Sequence, residues 1–372
     1  MILVVSLNPA LDLTYEVDAA DWAGVNRPHT VHVRPGGKGV NVARTLRALG
    51  LDVRLAGLAG GSAGAELIGL LAESGIELAF TAIAGATRRT LTVVDAARQQ
   101  AALFNEPGPV VAAEEYAEFV AWYQAALGLC DAVVLSGSLP GGVDADAYAE
   151  LIAAARAASV PVILDTSGPA LVAGVAAGPT LVKPNLAELE DVTGRSLGAG
   201  AASAPAPTPA FAPTPASAPT PASAPIEEAA QELLRAGARS VVVSRGADGL
   251  LAVAGDGRWL AWPGVPVSGN PTGAGDAVVA GLADGLVRGL EWPDLLRHAV
   301  ALGSATVATP VAGEFAPDEY ERQHRSVKVD ISGNPPSSRE RRSDSVPDLP
   351  EFEGFEAARP QMNTQIHQVS EG

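Results

Sequence analysis

Asp276 ends the run Gly269-Asn270-Pro271-Thr272-Gly273-Ala274-Gly275-Asp276 and leads into the apolar stretch 277–282. That order of residues predicts a glycine-rich turn feeding a helix, with one carboxylate in the first turn. Glycines let the backbone bend and leave amide groups bare. The first amides of a helix have no partner within it, and the helix dipole adds partial positive charge there. Such a turn is a candidate anion hole, suited to the charge that builds on a transferring phosphoryl group. A carboxylate beside such a hole can take a proton from an alcohol. Anion hole and base at one point suggest phosphoryl transfer to a hydroxyl. Taken alone, a Gly-x-Gly-Asp is also a helix cap after a tight turn, so the rest of the chain has to decide.

Four further motifs carry chemistry. In Pro35-Gly36-Gly37-Lys38-Gly39-Val40-Asn41 the glycines lead into an amphipathic helix, so backbone can come close to a polar ligand, and Asn41 on the first turn can bond sugar hydroxyls. The spacing is not that of a Walker A loop. Asn8-Pro9-Ala10-Leu11-Asp12 puts a carboxylate at the end of a first strand, where it either binds vicinal hydroxyls or sits in a turn. Lys183-Pro184-Asn185-Leu186-Ala187-Glu188 closes another strand. Asn185 and Glu188 are spaced as a capping pair, and equally as an oxygen pair that reaches Mg²⁺ through waters beside a phosphate. Ser244-Arg245-Gly246-Ala247-Asp248-Gly249 follows an apolar run and reads either as a turn crossed by a nucleotide or as a plain hairpin.

In this order, the motifs resemble the ribokinase-like (PfkB) family of sugar kinases, over about residues 1–329. The resemblance implies a three-layer α/β/α fold with a mostly parallel central sheet and a small β-sheet lid. It implies ATP as phosphoryl donor, Mg²⁺ as its companion, and Asp276 as base beside the amides of Gly273, Ala274 and Gly275. By the same likeness Asp12, Gly36, Gly37 and Asn41 would hold the sugar. Lys183, Asn185, Ser244, Gly246 and Gly249 would line the nucleotide, and Glu188 would act on Mg²⁺ through water. Asn8-Pro9, Lys38, Thr87-Arg88, 105–108, 136–140 and 311–314 look like the branch that acts on phosphorylated sugars. A phosphorylated acceptor needs fixed positive charge, and Arg88, Arg27 and Lys38 are the candidates. Fructose 1-phosphate is the expected acceptor, with tagatose 6-phosphate and fructose 6-phosphate as alternatives. A non-catalytic sugar-phosphate sensor is the reading from another class, and the intact Asp276 argues against it. Asn270-Pro271-Thr272 departs from the family's usual residues next to the nucleotide, and Arg89-Thr90 lacks the Asn often found there.

These residues need elements to position them. Apolar runs at 3–7, 53–58, 132–135, 160–164, 180–182 and 240–243 alternate with helical patterns at 40–49, 65–74, 116–127 and 145–158. Alternation of that kind predicts a largely parallel sheet covered on both faces, with ligands at the carboxyl ends of the strands. Segments 13–17, 30–33, 90–94 and 100–104 are β-rich with polar breaks and predict the accessory sheet, its strands drawn from about 11–35 and 87–106. One kinase domain is expected over 1–330. It is interrupted at 198–225 by a Pro/Ala-rich stretch in which Pro-Thr-Pro-Ala-Ser-Ala repeats, and which should stay extended. Residues 331–372 lack periodicity and are expected to be disordered.

A formal net charge of −17 with no long Lys/Arg cluster argues against nucleic acid as a partner. The single cysteine, Cys130, excludes an internal disulfide framework and a Cys-rich metal site. No apolar run reaches membrane-spanning length, and the first residues read as a buried strand, so a cytoplasmic protein is expected. An exposed face of the lid makes a homodimer the expected assembly.

Overall fold

The structure, a computed structural model, describes residues 1–98, 100–197, 223–255, 257–309 and 311–331. The first half contains β1 (Ile2–Ser6), β2 (Ala10–Val17), β3 (Thr30–Gly36), α1 (Lys38–Ala48), β4 (Val53–Gly60), α2 (Gly61–Ala72) and β5 (Glu77–Ile83). Then come β6 (Arg88–Asp95), β7 (Gln100–Asn105), α3 (Ala113–Ala126), β8 (Ala132–Ser136), α4 (Ala147–Ala157) and β9 (Val162–Asp165). Next are α5 (Gly168–Ala176), β10 (Leu181–Val182), α6 (Leu186–Thr193), α7 (Ser223–Ala236), β11 (Ser240–Ser244), β12 (Leu250–Ala254) and β13 (Gly257–Trp262). Last are α8 (Ala274–Val287), α9 (Trp292–Val307), α10 (Pro317–Ser326) and β14 (Lys328–Ile331).

One ten-stranded sheet runs β14-β13-β12-β11-β10-β9-β8-β1-β4-β5, and it is parallel from β11 to β5. Side chains alternate between its faces. In β1, Ile2 and Val4 join one apolar cluster, with residues of α1, α2, α8, α9 and α10. Leu3 and Val5 join the other, with residues of α3 to α7. Both faces are thus dry, which is why the central strands read as continuous apolar runs. The result is the three-layer α/β/α arrangement expected. Helix α8 is buried on nearly every side from Asp276 to Gly285, so its own apolar character runs all the way round.

The four-stranded sheet β3-β2-β6-β7 stands apart from the large one, and its strands come from the two stretches expected. Two features bear on readings made from the sequence, one left open and one overturned. The turn after Ser244 resolves as a hairpin: its short connection makes β12 antiparallel to β11, and β13 and β14 continue antiparallel. The expected extended stretch 198–225 ends early, because Ser223, Ala224 and Pro225 are the first residues of α7. Proline there removes only an amide that has no helical partner. The rest of that stretch, 198–222, and the tail 332–372 lie outside the described residues. Among the described residues, no helix is long and apolar enough to cross a membrane.

Candidate active site

The carboxyl ends of β1, β8, β9 and β10 meet the N-termini of α1, α6 and α8. Glycine makes the approach of α1 possible: a Cβ at Gly39 would lie 2.8 Å from the Ser6 Cβ and 3.1 Å from the Ser136 carbonyl. Gly37, at φ +99°, supplies the left-handed turn that aims the helix. Gly273, at φ +83°, does the same for α8, and a Cβ on it would meet the Ala312 Cβ at 2.7 Å. The loop carrying Ala312 is tied to α1 by Arg44, which donates to the Ala312 carbonyl at 2.7 Å and pairs with Glu314 at 2.9 Å. Residues 311–314 therefore brace the turn that presents Asp276.

Asp276 lies in the first turn of α8 and is buried. Asn41 donates to its Oδ2 at 2.8 Å, across 235 positions of sequence. Burial pushes the Asp276 carboxyl up to about 7, the nearby Asp165 charge adds to the rise, and the Asn41 bond, Lys38 and Lys183 oppose it. A carboxyl poised near neutrality has the strength a general base needs. The expected anion hole is only partly open. The Ala274 amide donates to the Pro271 carbonyl at 3.2 Å, and the first bond closing the helix runs from the Ala277 amide to the Gly273 carbonyl at 2.9 Å. The Gly275 and Asp276 amides precede that bond and have no acceptor within the helix.

Beside them stands a charge cluster. Lys183 is buried and pairs with Asp165 Oδ1 at 3.1 Å, and its ammonium would lie 4.0 Å from a Cβ on Gly275. Lys38 lies 3.4 Å from the same oxygen and 3.1 Å from Glu188 Oε1. Ser136 donates to Asp165 Oδ2 at 3.2 Å. Burial alone would raise Asp165, but Lys183, Lys38 and the bonds from Lys183 and Ser136 hold it below the usual carboxylate range. The sequence reading missed both Asp165 and Ser136 as site residues.

Asn185 and Glu188 form the capping box that their spacing allowed. The Glu188 amide donates to Asn185 Oδ1 at 2.8 Å, and the Asn185 amide donates to Glu188 Oε2 at 2.9 Å. Asn185 also bridges to Ser244, whose amide donates to the Pro184 carbonyl at 3.0 Å, so the two expected nucleotide residues share one edge. Gly246 and Gly249 both have positive φ in the hairpin, and a Cβ on Gly249 would fall 2.0 Å from the Ala261 carbonyl. Gly249 thus has a structural reason whatever it binds.

Asp12 lies on β2, an inner strand of the small sheet, opposite Arg34 of β3 and Thr90 of β6. A Cβ on Gly36 would lie 1.9 Å from Asp12 Oδ2, so only glycine leaves this carboxylate its place. Burial raises Asp12, against the hydroxyl of Thr90 and the charges of Arg88 and Arg44. Arg88 donates from Nε to the Asn8 carbonyl at 3.3 Å. Arg27, in contrast, is exposed in the connection between β2 and β3.

Among the described residues, no three His, Cys, Asp or Glu side chains converge as a metal-holding group. With Asp165 and Glu188 already engaged, direct chelation by these carboxylates does not fit. A Mg²⁺ carried by nucleotide phosphates, touched from Glu188 through water, fits the donor set better.

The model of the pfkB family carbohydrate kinases matches residues 5–319. Phosphofructokinase-2 from Escherichia coli, solved with potassium, is 29% identical, with a TM-score of 0.76 over 87% of this chain and 98% of that one. The same enzyme solved with fructose-6-phosphate gives 29% identity and a TM-score of 0.73, over 87% of this chain and 98% of that one. A possible 1-phosphofructokinase from Thermotoga maritima, at 24% identity, shares the fold, with a TM-score of 0.73 over 89% of this chain and 99% of that one. The chain belongs to the pfkB family of carbohydrate kinases, phosphotransferases that use ATP and take an alcohol group as acceptor.

Proposed function

We propose that the chain is a phosphosugar kinase that transfers the γ-phosphoryl group of ATP to fructose 1-phosphate, giving fructose 1,6-bisphosphate and ADP. The observation that carries this reading is the buried Asp276, bonded to Asn41 and poised near pH 7, at a glycine-led helix start. In the mechanism, Asn41 fixes Oδ2, and Oδ1 takes the proton of the acceptor hydroxyl as it attacks in line. The free amides at the start of α8 and the Lys183 ammonium steady the phosphoryl oxygens. Gly273 and Ala274 shape that turn. Asp12, with Gly36 and Gly37, holds the sugar hydroxyls, and Arg88 takes the phosphate already on the sugar. Asn185, Ser244, Gly246 and Gly249 line the nucleotide. Glu188 would reach a nucleotide-borne Mg²⁺ through water, and that ion would supply charge to offset the phosphates.

A second reading, 6-phosphofructokinase, is favoured by the likeness to Escherichia coli phosphofructokinase-2 with fructose-6-phosphate. Side-by-side kcat/KM for fructose 1-phosphate, tagatose 6-phosphate and fructose 6-phosphate decides. Preference for the first supports the proposal; preference for either 6-phosphate moves the substrate. Arg88→Ala is expected to raise KM for the phosphosugar by roughly ten- to hundredfold, the loss of one charge-assisted bond, with kcat less affected. An unchanged KM would remove Arg88 from the phosphate site.

We also propose that two subunits pair through the small sheet. Trp22, Val25, Leu103 and Phe104 are at least half exposed there, and the rings of Trp22 and Phe104 lie 6.4 Å apart. An apolar patch of this kind marks an interface. The Escherichia coli enzyme has a tetrameric inhibited form. A monomer mass by light scattering would overturn the pairing. A cytoplasmic location follows from the proposed substrates, and fractionation of cells tests it.

A further inference from the structure

Arg44 lies one turn past Asn41 on α1, and most of its side chain is buried. A guanidinium taken out of water needs acceptors along its fork of donors. Loop 311–314 supplies two. The Ala312 carbonyl accepts from Nη1 at 2.7 Å, and Glu314 Oε1 accepts from Nη2 at 2.9 Å. Between them Gly313 turns at φ +78°, and a Cβ there would lie 3.0 Å from Arg44 Nη1 and 3.3 Å from the Asn41 Cα. The loop is wrapped on the guanidinium with no room for a side chain at its middle. Its other side meets α8: a Cβ on Gly273 would stand 2.7 Å from the Ala312 Cβ and 3.5 Å from the Gly313 nitrogen. Helix α1 reaches the base turn twice, directly through the Asn41 bond to Asp276 and indirectly through Arg44 and the loop. Besides Glu314, the charges that act on Arg44 are Arg34 of β3 and Asp12 of β2.

We propose that Arg44 is a positioning residue, the strut that holds loop 311–314 against Gly273 and so keeps the first turn of α8 closed over Asp276. Its part in the reaction rests on the reading of Asp276 as the base; the strut itself does not. Burial is the largest cause that lifts the Asp276 carboxyl, the Asp165 charge adds to it, and Asn41, Lys38 and Lys183 act against it. A turn freed by loss of the strut lets water reach the carboxyl, and that relief outweighs any weakening of the Asn41 bond. The sign separates this account from a simple charge effect. Removing a cation acts through space to raise a carboxyl, whereas opening the turn to water lowers it.

The test is a carbon-13 NMR titration of the aspartate carboxyls, on the full chain without nucleotide or sugar, with the Asp276 signal assigned by its loss in Asp276→Asn. Wild type is expected to titrate near 7. Arg44→Met is expected to titrate about one pH unit lower, since a hydrated carboxyl moves back toward its ordinary range. Arg44→Lys can still donate to the Ala312 carbonyl and should lie near wild type. Glu314→Gln leaves that carbonyl bond in place and should move Asp276 less than Arg44→Met does. Arg54→Met controls for lost stability: it breaks a pair with Glu77 at the opposite end of the sheet, Arg54 is 18% exposed like Arg44, and Asp276 should stay in place. At pH 8, kcat of Arg44→Met should fall about ten- to hundredfold as the base loses its place, with KM for ATP held, and Arg44→Lys should recover most of it. Arg44→Gln serves should the methionine variant lose its native circular dichroism. An Asp276 signal that stays near 7, or rises, in the folded variant overturns the proposal. The titration needs no turnover, so it fails separately from the kinase reading, which fails only if no phosphosugar is phosphorylated.

Discussion

Asp276→Asn is expected to lower kcat by about a thousandfold, within the range for loss of a general base, and to leave KM for both substrates nearly unchanged. The replacement keeps the shape of the side chain, and its amide oxygen can still accept from Asn41, which holds Oδ2 at 2.8 Å in the wild type. What is lost is the proton acceptor. The wild-type pH profile should therefore show kcat rising with pH, half-maximal near the value of about 7 to which burial lifts Asp276. Stability should move the other way. Below the unfolded value of 3.8 the carboxyl is protonated in both states and contributes nothing. Between 3.8 and about 7 the unfolded chain releases the proton while the folded chain keeps it, so stability falls as pH rises. Above that window the cost is fully present, on the order of a few kcal/mol at about 1.4 kcal/mol per unit. Asp276→Asn removes it, so the inactive variant should melt higher than wild type at pH 8. Near-normal turnover by the variant would sink the assignment of the base, and a lower Tm at pH 8 would sink the account of its burial.

Asn41 and Asp276 were singled out because each follows glycines at a helix start, where side-chain type and local backbone together limit the chemistry, but Asn41 was read as a contact to sugar hydroxyls and its bond to Asp276 was not foreseen. Asp165 was not, although it sits among the same charges. It follows Val162-Ile163-Leu164 and reads as one more strand end. A usable signal existed in that very feature: a lone carboxylate closing an apolar strand of a parallel sheet lies on the edge where ligands bind. Asn185 and Glu188 show the reverse limit. Their spacing fitted both a cap and a metal contact, and the fold makes the cap while handing the other Glu188 oxygen to Lys38. Charge without a positioning element decided nothing for Arg27, which hangs in an exposed connection. Strand direction was hidden as well. Apolar alternation in β12 and β13 is the same for parallel and antiparallel pairing, and only the short turn between Ser244 and Leu250 forces the hairpin.

Asp165→Asn is expected to cost stability and to move the acid limb of the pH profile below 7. The stability argument comes from the dry pair: Asp165 is 1% exposed and Lys183 4%, with the ammonium 3.1 Å from Oδ1. Removing one partner leaves the other charge buried without its counterion, which costs roughly 3–5 kcal/mol. The pH argument comes from the second cause of the Asp276 shift. Asp165 raises Asp276 by like-charge repulsion, while Lys38 and Lys183 lower it. Neutralising Asp165 leaves both cations acting on Asp276 unopposed, so the base should ionise at lower pH. Lys183→Met should do the opposite to the profile: one cation disappears, Asp165 stays, and the acid limb should rise above 7. Loss of packing alone would lower Tm in both variants without moving the limbs in opposite directions. Combining the two substitutions should return the limb toward its wild-type position and recover part of the stability, since neither buried charge is then left alone. Limbs that stay in place in both single variants would mean that Asp276 titrates independently of the cluster, and that burial by itself sets its strength as a base.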